Sequence, residues 1–310
     1  MLKKIVFMGT SLFSVPILKS LYQNGYPISV VYTQPPQKSQ RGQKINKSPI
    51  QAMSETLNLE FRNPITLKNN KEEYQYLKKL NADIAIVVAY GQIIPKEFLS
   101  LTKKGFINIH ASLLPKWRGA APIQRSIMNL DRETGISIMK IQEELDSGPI
   151  CNVYKLATTQ NDNAGTISDK LSVLAAEKIQ DNIDDILEDK IIFKDQNHKE
   201  ATYAQKIKKF EGKINWNDSA EKIIGKINGL YPNPGAWFIY NGKRYKILKA
   251  IIGDGTGKTG TVLNENLEVS CNNNKSIKIL EIQREGKKQQ KTNEFMLGSQ
   301  IKKGTILDNA

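Results

Sequence analysis

Three polar side chains alternate with apolar residues in one short stretch of the chain. Asn108, His110 and Ser112 are spaced two residues apart, so they lie on one face while the chain is extended. An amide can donate a hydrogen bond to an oxygen that becomes anionic, and an imidazole can move protons near neutral pH. The alternative is a core histidine whose hydrogen bonds are satisfied beside a helix cap. We favour chemistry at a strand end, because Asn and His suit a packing strand poorly and a loop with Pro115 and Gly119 follows.

An acidic residue, Asp146, is a further candidate. It begins the sequence Asp-Ser-Gly-Pro, which by itself is typical of a turn, because Asp bonds to its own backbone and Gly accepts positive φ. A hydrolytic triad of Ser112, His110 and Asp146 is not favoured. Residues two apart on a strand face the same way without having to touch, and the chain contains no Gly-x-Ser-x-Gly elbow. From the residues alone, Asp146 is interpreted as a turn residue.

The stretch that contains Asn108, His110 and Ser112 also resembles a known family. The pattern Asn-x-His-x-Ser-Leu-Leu-Pro at 108–115, followed by Arg-Gly at 118–119, resembles the 10-formyltetrahydrofolate-dependent formyl transferases and the related formyl-folate hydrolases. The sequence Trp-Arg-Gly-Ala-Ala-Pro-Ile-Gln-Arg at 117–125 resembles, within that family, the methionyl-tRNA formyltransferases. The resemblance implies 10-formyltetrahydrofolate as the formyl donor and initiator methionyl-tRNA as the acceptor.

The resemblance also assigns roles to individual residues. It implies that Asn108, His110 and Asp146 are catalytic. Asn108 would donate to the formyl oxygen of the tetrahedral intermediate, and loss of such a donor typically costs about 3 kcal/mol. His110 would carry a proton from the attacking amine towards the departing folate nitrogen, with Asp146 orienting or charge-balancing the imidazole. Folate contacts are implied for the loop residues Ser112, Leu113, Leu114 and Pro115.

Other functions are compatible with the same three catalytic residues. One is a hydrolase that releases formate from the folate, and another is a transferase acting on a sugar nucleotide or a purine precursor. A nucleic-acid-binding protein with an idle active site is a third alternative. The sequence at 117–125 and the basic C-terminal third favour tRNA as the acceptor, and the intact catalytic set argues against an idle site.

The composition predicts a soluble protein with two domains. Its 310 residues suffice for two cores, and 39% of them are hydrophobic. No apolar run approaches the length of a membrane span, and the apolar part of the N-terminal stretch is too short for a signal sequence. Two cysteines and two histidines are too few for a disulfide framework or a zinc cluster. We therefore expect a metal-free, cytoplasmic monomer without a membrane partner.

Positive charge is concentrated towards the C-terminus. The chain carries a formal charge of +14, from 45 Lys and Arg against 31 Asp and Glu. Residues 201–310 hold 19 basic and 10 acidic residues, a net of +9, which leaves 26 against 21, a net of +5, for residues 1–200. Such an excess suits a polyanionic partner, although it can also serve solubility alone. The distribution indicates a binding module attached to a catalytic domain.

The N-terminal part has the element pattern of a doubly wound α/β domain. A short apolar strand, a helix and a second strand over 28–33 form a β-α-β unit. The first strand is not followed by Gly-x-Gly-x-x-Gly, so a nucleotide cofactor is not favoured. A helix over 165–189 closes this Rossmann-like catalytic domain, which we assign to residues 1–189, with 190–206 as a linker.

A basic segment follows the second strand. Residues 34–48 contain Lys38, Arg41, Lys44 and Lys47 and no acidic residue. This composition is typical of a solvated, mobile loop, but a long insertion without regular structure is more often functional, and the lack of acids suits contact with phosphate. In the resembling family, a basic loop at this position reaches the tRNA acceptor end. The resemblance therefore implies that Arg41 contacts the tRNA, together with Lys38, Lys44 and Lys47.

Residues 207–310 have the pattern of a small β-barrel domain. A helix over 219–228 precedes short strands separated by Gly and Asn turns. The resembling family has a barrel of the oligonucleotide-binding (OB) type here, and we assign tRNA binding to this domain. Residues 255–260 match Gly-x-Gly-x-x-Gly, but they lie between two strands rather than between a strand and a helix, so a hairpin turn is expected.

Overall fold

The computed structural model describes residues 3–39, 44–299 and 301–307, with the side chains at 38, 39, 44 and 45 excepted. The chain forms two compact units. The first unit consists of Met1–Gly119, Gly135–Leu156 and Ser168–Tyr203, and the second of Ala120–Thr134, Ala157–Ile167 and Ala204–Ala310. The second unit thus takes two segments from the region that the sequence analysis assigns to the catalytic domain, in addition to the C-terminal third.

The elements are as follows. The helices are α1 Val15–Gln23, α2 Pro49–Thr56, α3 Lys71–Leu80, α4 Pro122–Met128, α5 Ala164–Leu187, α6 Ala220–Leu230 and α7 Thr292–Leu297. The strands are β1 Ile5–Gly9, β2 Ile28–Tyr32, β3 Gln37–Ser39, β4 Lys44–Asn46, β5 Phe61–Arg62, β6 Ile84–Val88, β7 Phe106–His110, β8 Arg118–Gly119, β9 Glu133–Lys140, β10 Ile150–Ala157, β11 Tyr203–Ala204, β12 Ala236–Tyr240, β13 Lys243–Gly253, β14 Glu268–Ser270, β15 Ser276–Arg284 and β16 Gln290–Lys291. Across the described residues, no helix has both the length and the apolar character needed to cross a membrane.

The first unit is built on a sheet with the strand order β10-β9-β7-β6-β1-β2-β5. β1 pairs in parallel with β2 and β6, β2 with β5, and β6 with β7, whereas β9 runs antiparallel to β7. Counted along the chain, the parallel strands follow the order 3-2-1-4-5 of a Rossmann-like sheet. The predicted doubly wound α/β fold is therefore confirmed. The order reverses between β1 and β6, and sheets of this kind bind ligands at the carboxyl ends of the strands beside the reversal.

Helices cover both faces of this sheet. Every residue of β1 and β6 is buried, as expected for parallel strands that are covered on both sides. On one face, Tyr32 and Leu77 of α3 belong to a shared cluster of buried side chains. Ile17 of α1 is buried outside that cluster, and α1 contacts α5 through a 2.9 Å hydrogen bond from Ser20 Oγ to the Ala176 carbonyl. α1 and α5 therefore pack together away from α3.

The basic segment after β2 is more regular than its composition indicates. β3 and β4 pair antiparallel, with Gln37 opposite Asn46, whereas the sequence predicts a segment without regular structure. Arg41, which lies between the two strands in the sequence, is outside the described residues. At the base of this hairpin, Gln37 Nε2 donates to Gln34 Oε1 at 3.3 Å, and Gln34 Nε2 donates to the Tyr90 carbonyl at 3.2 Å. The base is thus tied to the loop after β6.

The second unit contains a curled, barrel-like antiparallel sheet around an apolar core. β12, β13, β15 and β14 are neighbours in this order, and β16 pairs with β15. The indole of Trp216 is fully buried, with its ring centroid 5.9 Å from that of Phe238, which stacks on Tyr245 at 5.4 Å. Ser219 begins α6 by accepting a hydrogen bond from the Lys222 N–H at 3.3 Å. The predicted C-terminal β domain is confirmed.

Helix α4 packs on α6 through two glycines. A Cβ atom at Gly229 would lie 2.8 Å from the Gln124 carbonyl oxygen, and one at Gly225 would lie 2.9 Å from the Met128 carbonyl oxygen. Both distances are too short for a real Cβ contact, so glycine is what allows the two backbones to approach. This packing explains why residues 120–134 belong to the second unit.

Arg125 of α4 forms hydrogen bonds with Gln205 and Glu211, at the start of the C-terminal third. Its guanidinium donates to the two carboxylate oxygens of Glu211 at 2.7 and 3.1 Å, and to the Gln205 carbonyl at 3.1 Å. The side chains of Arg125 and Glu211 are 19% and 22% exposed. The Lys208 N–H donates to the same carboxylate at 2.7 Å. The hydrogen bond from Arg125, followed by that from Lys208, holds the pKa of Glu211 below its ordinary value.

The glycine-rich sequence at 255–260 forms a turn after β13, and its first residue bonds to the carboxylate of Glu268. Glu268 is buried and accepts hydrogen bonds from the Gly255 N–H at 3.2 Å, from Ser276 Oγ at 2.5 Å and from Asn264 Nδ2 at 2.7 Å. A phosphate-binding loop directs its N–H groups at an anion in front of a helix. Here a protein carboxylate takes such an N–H, so the segment is a structural turn.

Candidate active site

The strand with the predicted catalytic residues ends at the carboxyl edge of the sheet. β7 lies between β6 and β9 and ends at His110, one strand away from the point where the strand order reverses. Asn108 is half-buried, and His110 is 6% exposed. Ser112 lies in a bend beyond the strand. The amide and the imidazole therefore stand where Rossmann-like sheets bind their ligands.

Asp146 reaches this edge from the loop between β9 and β10. Its Oδ1 lies 3.4 Å from Asn108 Nδ2, and its Oδ2 lies 3.6 Å from His110 Nδ1. The Gly119 N–H donates to the same Oδ2 at 2.8 Å. Asp146 has a φ of 49°, in the left-handed region that few residues other than glycine adopt. The structure thus brings the three predicted catalytic side chains into one cluster, with Asp146 between the other two.

The hydrogen bonds of His110 indicate which ring nitrogen can take up a proton. Its Nε2 lies 2.9 Å from the Trp117 carbonyl oxygen. A carbonyl only accepts, so this contact assigns the hydrogen to Nε2. In the neutral ring, Nδ1 is then the unprotonated nitrogen, and it faces the carboxylate of Asp146. A proton that arrives at Nδ1 therefore lies between the imidazole and the carboxylate.

The loop after β7 is shaped by its own hydrogen bonds. Ser112 is fully buried, and its hydroxyl donates at 2.6 Å to the carbonyl four residues further on. Ser137 Oγ donates to the Ser112 carbonyl at 2.7 Å and accepts from the Leu114 N–H at 3.1 Å. The Leu114–Pro115 peptide bond is cis. Of the predicted folate loop, Leu113 and Pro115 are the half-exposed members, whereas the Ser112 hydroxyl serves the loop itself.

Gln196, which the sequence analysis does not single out, supports the loop that carries Asp146. Its Nε2 donates to the carbonyls of Asp146 at 2.9 Å and Gly148 at 2.7 Å. Its Oε1 accepts from two nitrogens of the Arg118 guanidinium, at 3.0 and 2.7 Å. Two nitrogens of Arg118 also lie 3.4 Å from His198 Nδ1. Gln196 and His198 lie in the segment interpreted as a linker, and the sequence gives no periodic signal for them.

A cleft of about 700 Å³ lies within the first unit. Its lining includes Ser147, which follows Asp146, and His198, together with Lys96, Ile141 and Glu143. This volume is in the range of small-molecule sites. The cleft is shallow and lies beside the loop that carries Asp146, while Asn108, His110 and residues 112–115 do not line it.

Of the four basic residues predicted to contact tRNA, one has a described side chain. The ammonium of Lys47 lies 2.9 Å from both carboxylate oxygens of Glu55, and both side chains are exposed. Arg41 lies outside the described residues, as do the side chains of Lys38 and Lys44. Contact of these four residues with tRNA stays a prediction.

Among the residues that the structure describes, the cysteines and the potential metal ligands form no second centre. In the described part of the chain, no three His, Cys, Asp or Glu side chains come together as a metal site requires. Cys151 and Cys271 are free thiols, and burial raises the pKa of Cys151 to about 11 and that of Cys271 to about 12. A thiol with a raised pKa is a poor nucleophile, so neither cysteine is activated for chemistry.

Known proteins match both parts of the chain. Residues 3–183 match the formyl transferase family and residues 206–300 match the formyl transferase C-terminal domain. A methionyl-tRNA formyltransferase from Pelagibacter ubique (strain HTCC1062) is 67% identical over 309 residues, which cover 100% of both chains. The chain belongs to the methionyl-tRNA formyltransferase family. Another member, from Jannaschia sp. (strain CCS1), is 43% identical over 98% of this chain and 100% of its own. The resemblance that residues 108–125 carry is thus confirmed.

Solved structures show the same fold in a formyl transferase of a different specificity. The sugar 3N-formyl transferase WlaRD, determined in the presence of dTDP and 5-N-formyl-THF, matches with a TM-score of 0.69 and 20% identity. The match covers 93% of this chain and 100% of that one. At this identity the similarity shows the fold, and the family membership supports a folate-derived formyl donor for the chain.

Proposed function

We propose that the chain transfers the formyl group of 10-formyltetrahydrofolate to the α-amino group of methionyl initiator tRNA. The observation that carries this proposal is the cluster at the carboxyl edge of the sheet, in which Asp146 lies 3.4 Å from Asn108 and 3.6 Å from His110. The cluster supplies a hydrogen-bond donor and a proton carrier, the two functions that formyl transfer requires. The names of the full-length relatives support the identity of the acceptor.

Asn108 stabilises the charge that develops on the formyl oxygen. Attack of the α-amino nitrogen on the formyl carbon forms a C–N bond and leaves a negative charge on that oxygen. The contact of Asn108 with Asp146 is long, at 3.4 Å, so the amide is weakly engaged and can donate to the oxyanion instead. A donor of this kind contributes about 3 kcal/mol to lowering the barrier.

His110 and Asp146 manage the proton. The attacking amine loses one proton, and the N10 nitrogen of the folate gains one when its bond to the formyl carbon breaks. Nδ1 is the unprotonated nitrogen of the neutral His110 ring and lies 3.6 Å from the Asp146 carboxylate. A proton held between these two groups is stabilised by the negative charge and is available to N10. Protons balance across the reaction, and no covalent bond to the enzyme forms.

We assign binding of the tRNA to two basic regions. Residues 201–310 carry a net charge of +9, and the sequence from 34 to 48 contains four basic residues without an acid. The base of the β3–β4 hairpin is bonded to the loop after β6 through Gln34, at the edge where the formyl group is transferred. Arg41 offers a planar guanidinium that can contact phosphates or base edges of the acceptor end. It is the residue that we expect to place the aminoacyl end.

Competition between acceptors tests the proposed function. Formyl transfer from 10-formyltetrahydrofolate is measured with charged initiator tRNA, charged elongator methionine tRNA, free methionine and water in parallel. We expect rapid formylation of initiator methionyl-tRNA and little release of formate to water. A chain that releases formate at the same rate with and without charged tRNA would be a hydrolase of the same cofactor, and the proposal would be wrong.

A further inference from the structure

Gln196 uses its whole hydrogen-bonding capacity at a buried position. The residue is 6% exposed and belongs to the first unit. A primary amide has two donors and two acceptor sites. The two donors bond to the carbonyls of Asp146 and Gly148, and both acceptor sites are occupied by Arg118, over distances of 2.7 to 3.0 Å. The side chain is saturated by these four bonds.

The chemistry of the partners fixes the orientation of this amide. A guanidinium only donates and a backbone carbonyl only accepts, so Oε1 must face Arg118 and Nε2 must face the two carbonyls. Arg118 is itself 3% exposed. The pair of Arg118 and Gln196 therefore presents two N–H donors, in one fixed direction, to the loop that carries Asp146.

The backbone of that loop is uncommon at Asp146, whose φ of 49° lies in the left-handed region. Gln196 holds the carbonyls on either side of Ser147 and so fixes the peptide planes next to Asp146. The carboxylate is held separately by the Gly119 N–H at 2.8 Å. Gly119 directly follows Arg118, so one short segment holds Asp146 by its carboxylate and, through Gln196, by its backbone.

We propose that Gln196 is a positioning residue for formyl transfer. By holding the backbone of Asp146, it sets the carboxylate at its distances from Asn108 and His110. The inference rests on the proposed function, since the placement of Asp146 affects turnover only if this cluster transfers the formyl group.

Gln196→Glu separates positioning from packing. A carboxylate keeps the acceptor contacts to Arg118 and adds an ion pair, so the fold is retained. It cannot donate, and its negative oxygen repels the carbonyls of Asp146 and Gly148. We expect kcat for formylation of initiator methionyl-tRNA to fall about 100-fold, as for a misplacement of about 1 Å at an active site. KM for folate and tRNA should stay within about threefold, and the variant should melt at a lower temperature than wild type but remain folded at the temperature of the assay.

Two further variants complete the experiment. Gln196→Met has a similar length, cannot donate and accepts only weakly. It should show the same fall in kcat in its folded fraction if Gln196→Glu does not fold. Gln180→Glu is the matched control, because Gln180 is a half-buried amide in α5 that bonds to Ser20 of α1. We expect its kcat to stay within about twofold of wild type, since it makes no contact with the loop of Asp146.

A double-mutant cycle shows whether Gln196 acts through Asp146. In an Asp146→Asn background, Gln196→Glu should lower kcat by less than about threefold more. Wild-type kcat in both Gln196 variants, or losses that multiply fully with Asp146→Asn, would overturn the proposal. Failure of the wild-type protein to formylate initiator methionyl-tRNA would instead overturn the proposed function, so the two failures are distinguishable.

Discussion

Asn108→Asp turns the contact with Asp146 into a test of the mechanism. The substitution replaces the donor by an acceptor at the same position, 3.4 Å from an oxygen of Asp146. Two unit charges at this distance repel by about 5 kcal/mol at an effective dielectric constant of about 20. The two carboxyl groups therefore compete for one proton. At alkaline pH, where both carboxyl groups are ionised, the variant lacks the donor and also repels the developing oxyanion.

We expect a loss of transfer rate of defined size in both variants, and in Asn108→Asp a loss that depends on pH. Loss of the donor alone, as in Asn108→Ala, should lower the transfer rate about 100- to 1,000-fold. Above neutral pH, the transfer rate of Asn108→Asp should fall by at least as large a factor. As the pH falls, the transfer rate of Asn108→Asp should rise relative to that of Asn108→Ala, because a protonated carboxyl at position 108 can again donate to the formyl oxygen.

Single-turnover transfer to initiator methionyl-tRNA from about pH 6 to about pH 8.5 is the appropriate assay, because it isolates chemistry from product release. Any pH dependence that does not come from position 108 affects both variants, so the ratio of the Asn108→Asp rate to the Asn108→Ala rate is the quantity to compare. A ratio that does not change with pH, or near-wild-type transfer by Asn108→Asp, would refute the role of Asn108 as the oxyanion donor.

Three further predictions concern stability and tRNA. Arg125→Ala should destabilise the protein by about 2 kcal/mol, between the values for exposed and buried ion pairs. Because the folded-state pKa of Glu211 lies below its ordinary value of 4.5, the contribution of the ion pair is present above pH 4.5 and is lost as the pH falls through the folded-state pKa; a difference in melting temperature between wild type and variant that does not shrink as the solution is acidified would contradict it. Arg41→Lys should weaken transfer to initiator tRNA more than Lys47→Ala, because Lys47 is already paired with Glu55 and Lys cannot reproduce the guanidinium fork; equal kcat/KM for the two variants would argue against the role of Arg41. Binding of tRNA should weaken steeply with salt, because residues 201–310 carry a net charge of +9; an affinity that stays the same between about 50 and 200 mM salt would contradict this expectation.

Local signals explain how much of the fold could be predicted. The apolar run of β6 and the long periodic helix are strong signals, and the helix predicted over 165–189 is observed as α5, Ala164–Leu187. β10 was not predicted because its residues are only partly buried and polar residues such as Asn152 and Lys155 interrupt its pattern. Edge strands of this kind carry a weak periodic signal.

In the catalytic cluster, contacts between residues that are far apart in the sequence could not be predicted from local patterns. Asn108 and His110 are two residues apart, and their shared strand follows from alternation. Asp146 has the backbone of a turn residue and a carboxylate in the cluster, so the interpretation as a turn and the family-based assignment are compatible. Gln196 lies 50 residues beyond Asp146, and only the folded chain brings them together.

The packing of α4 on α6 has a consequence for synthesis on the ribosome. The segment 120–134 leaves the tunnel well before α6, which begins 86 residues after Thr134, at Ala220. Synthesis proceeds at about 5–20 residues per second, so roughly 4 to 17 s pass before α6 begins to be made. Until then, the face of α4 with Ile123 and Ile127 has no α6 to pack on. During this interval an apolar helix face is open to chaperones and to neighbouring nascent chains. Once α6 is synthesised, it packs on this face at Gly225 and Gly229 and covers it. A stalled or prematurely released chain that ends before α6 would leave the apolar face of α4 exposed and would be a target for quality control.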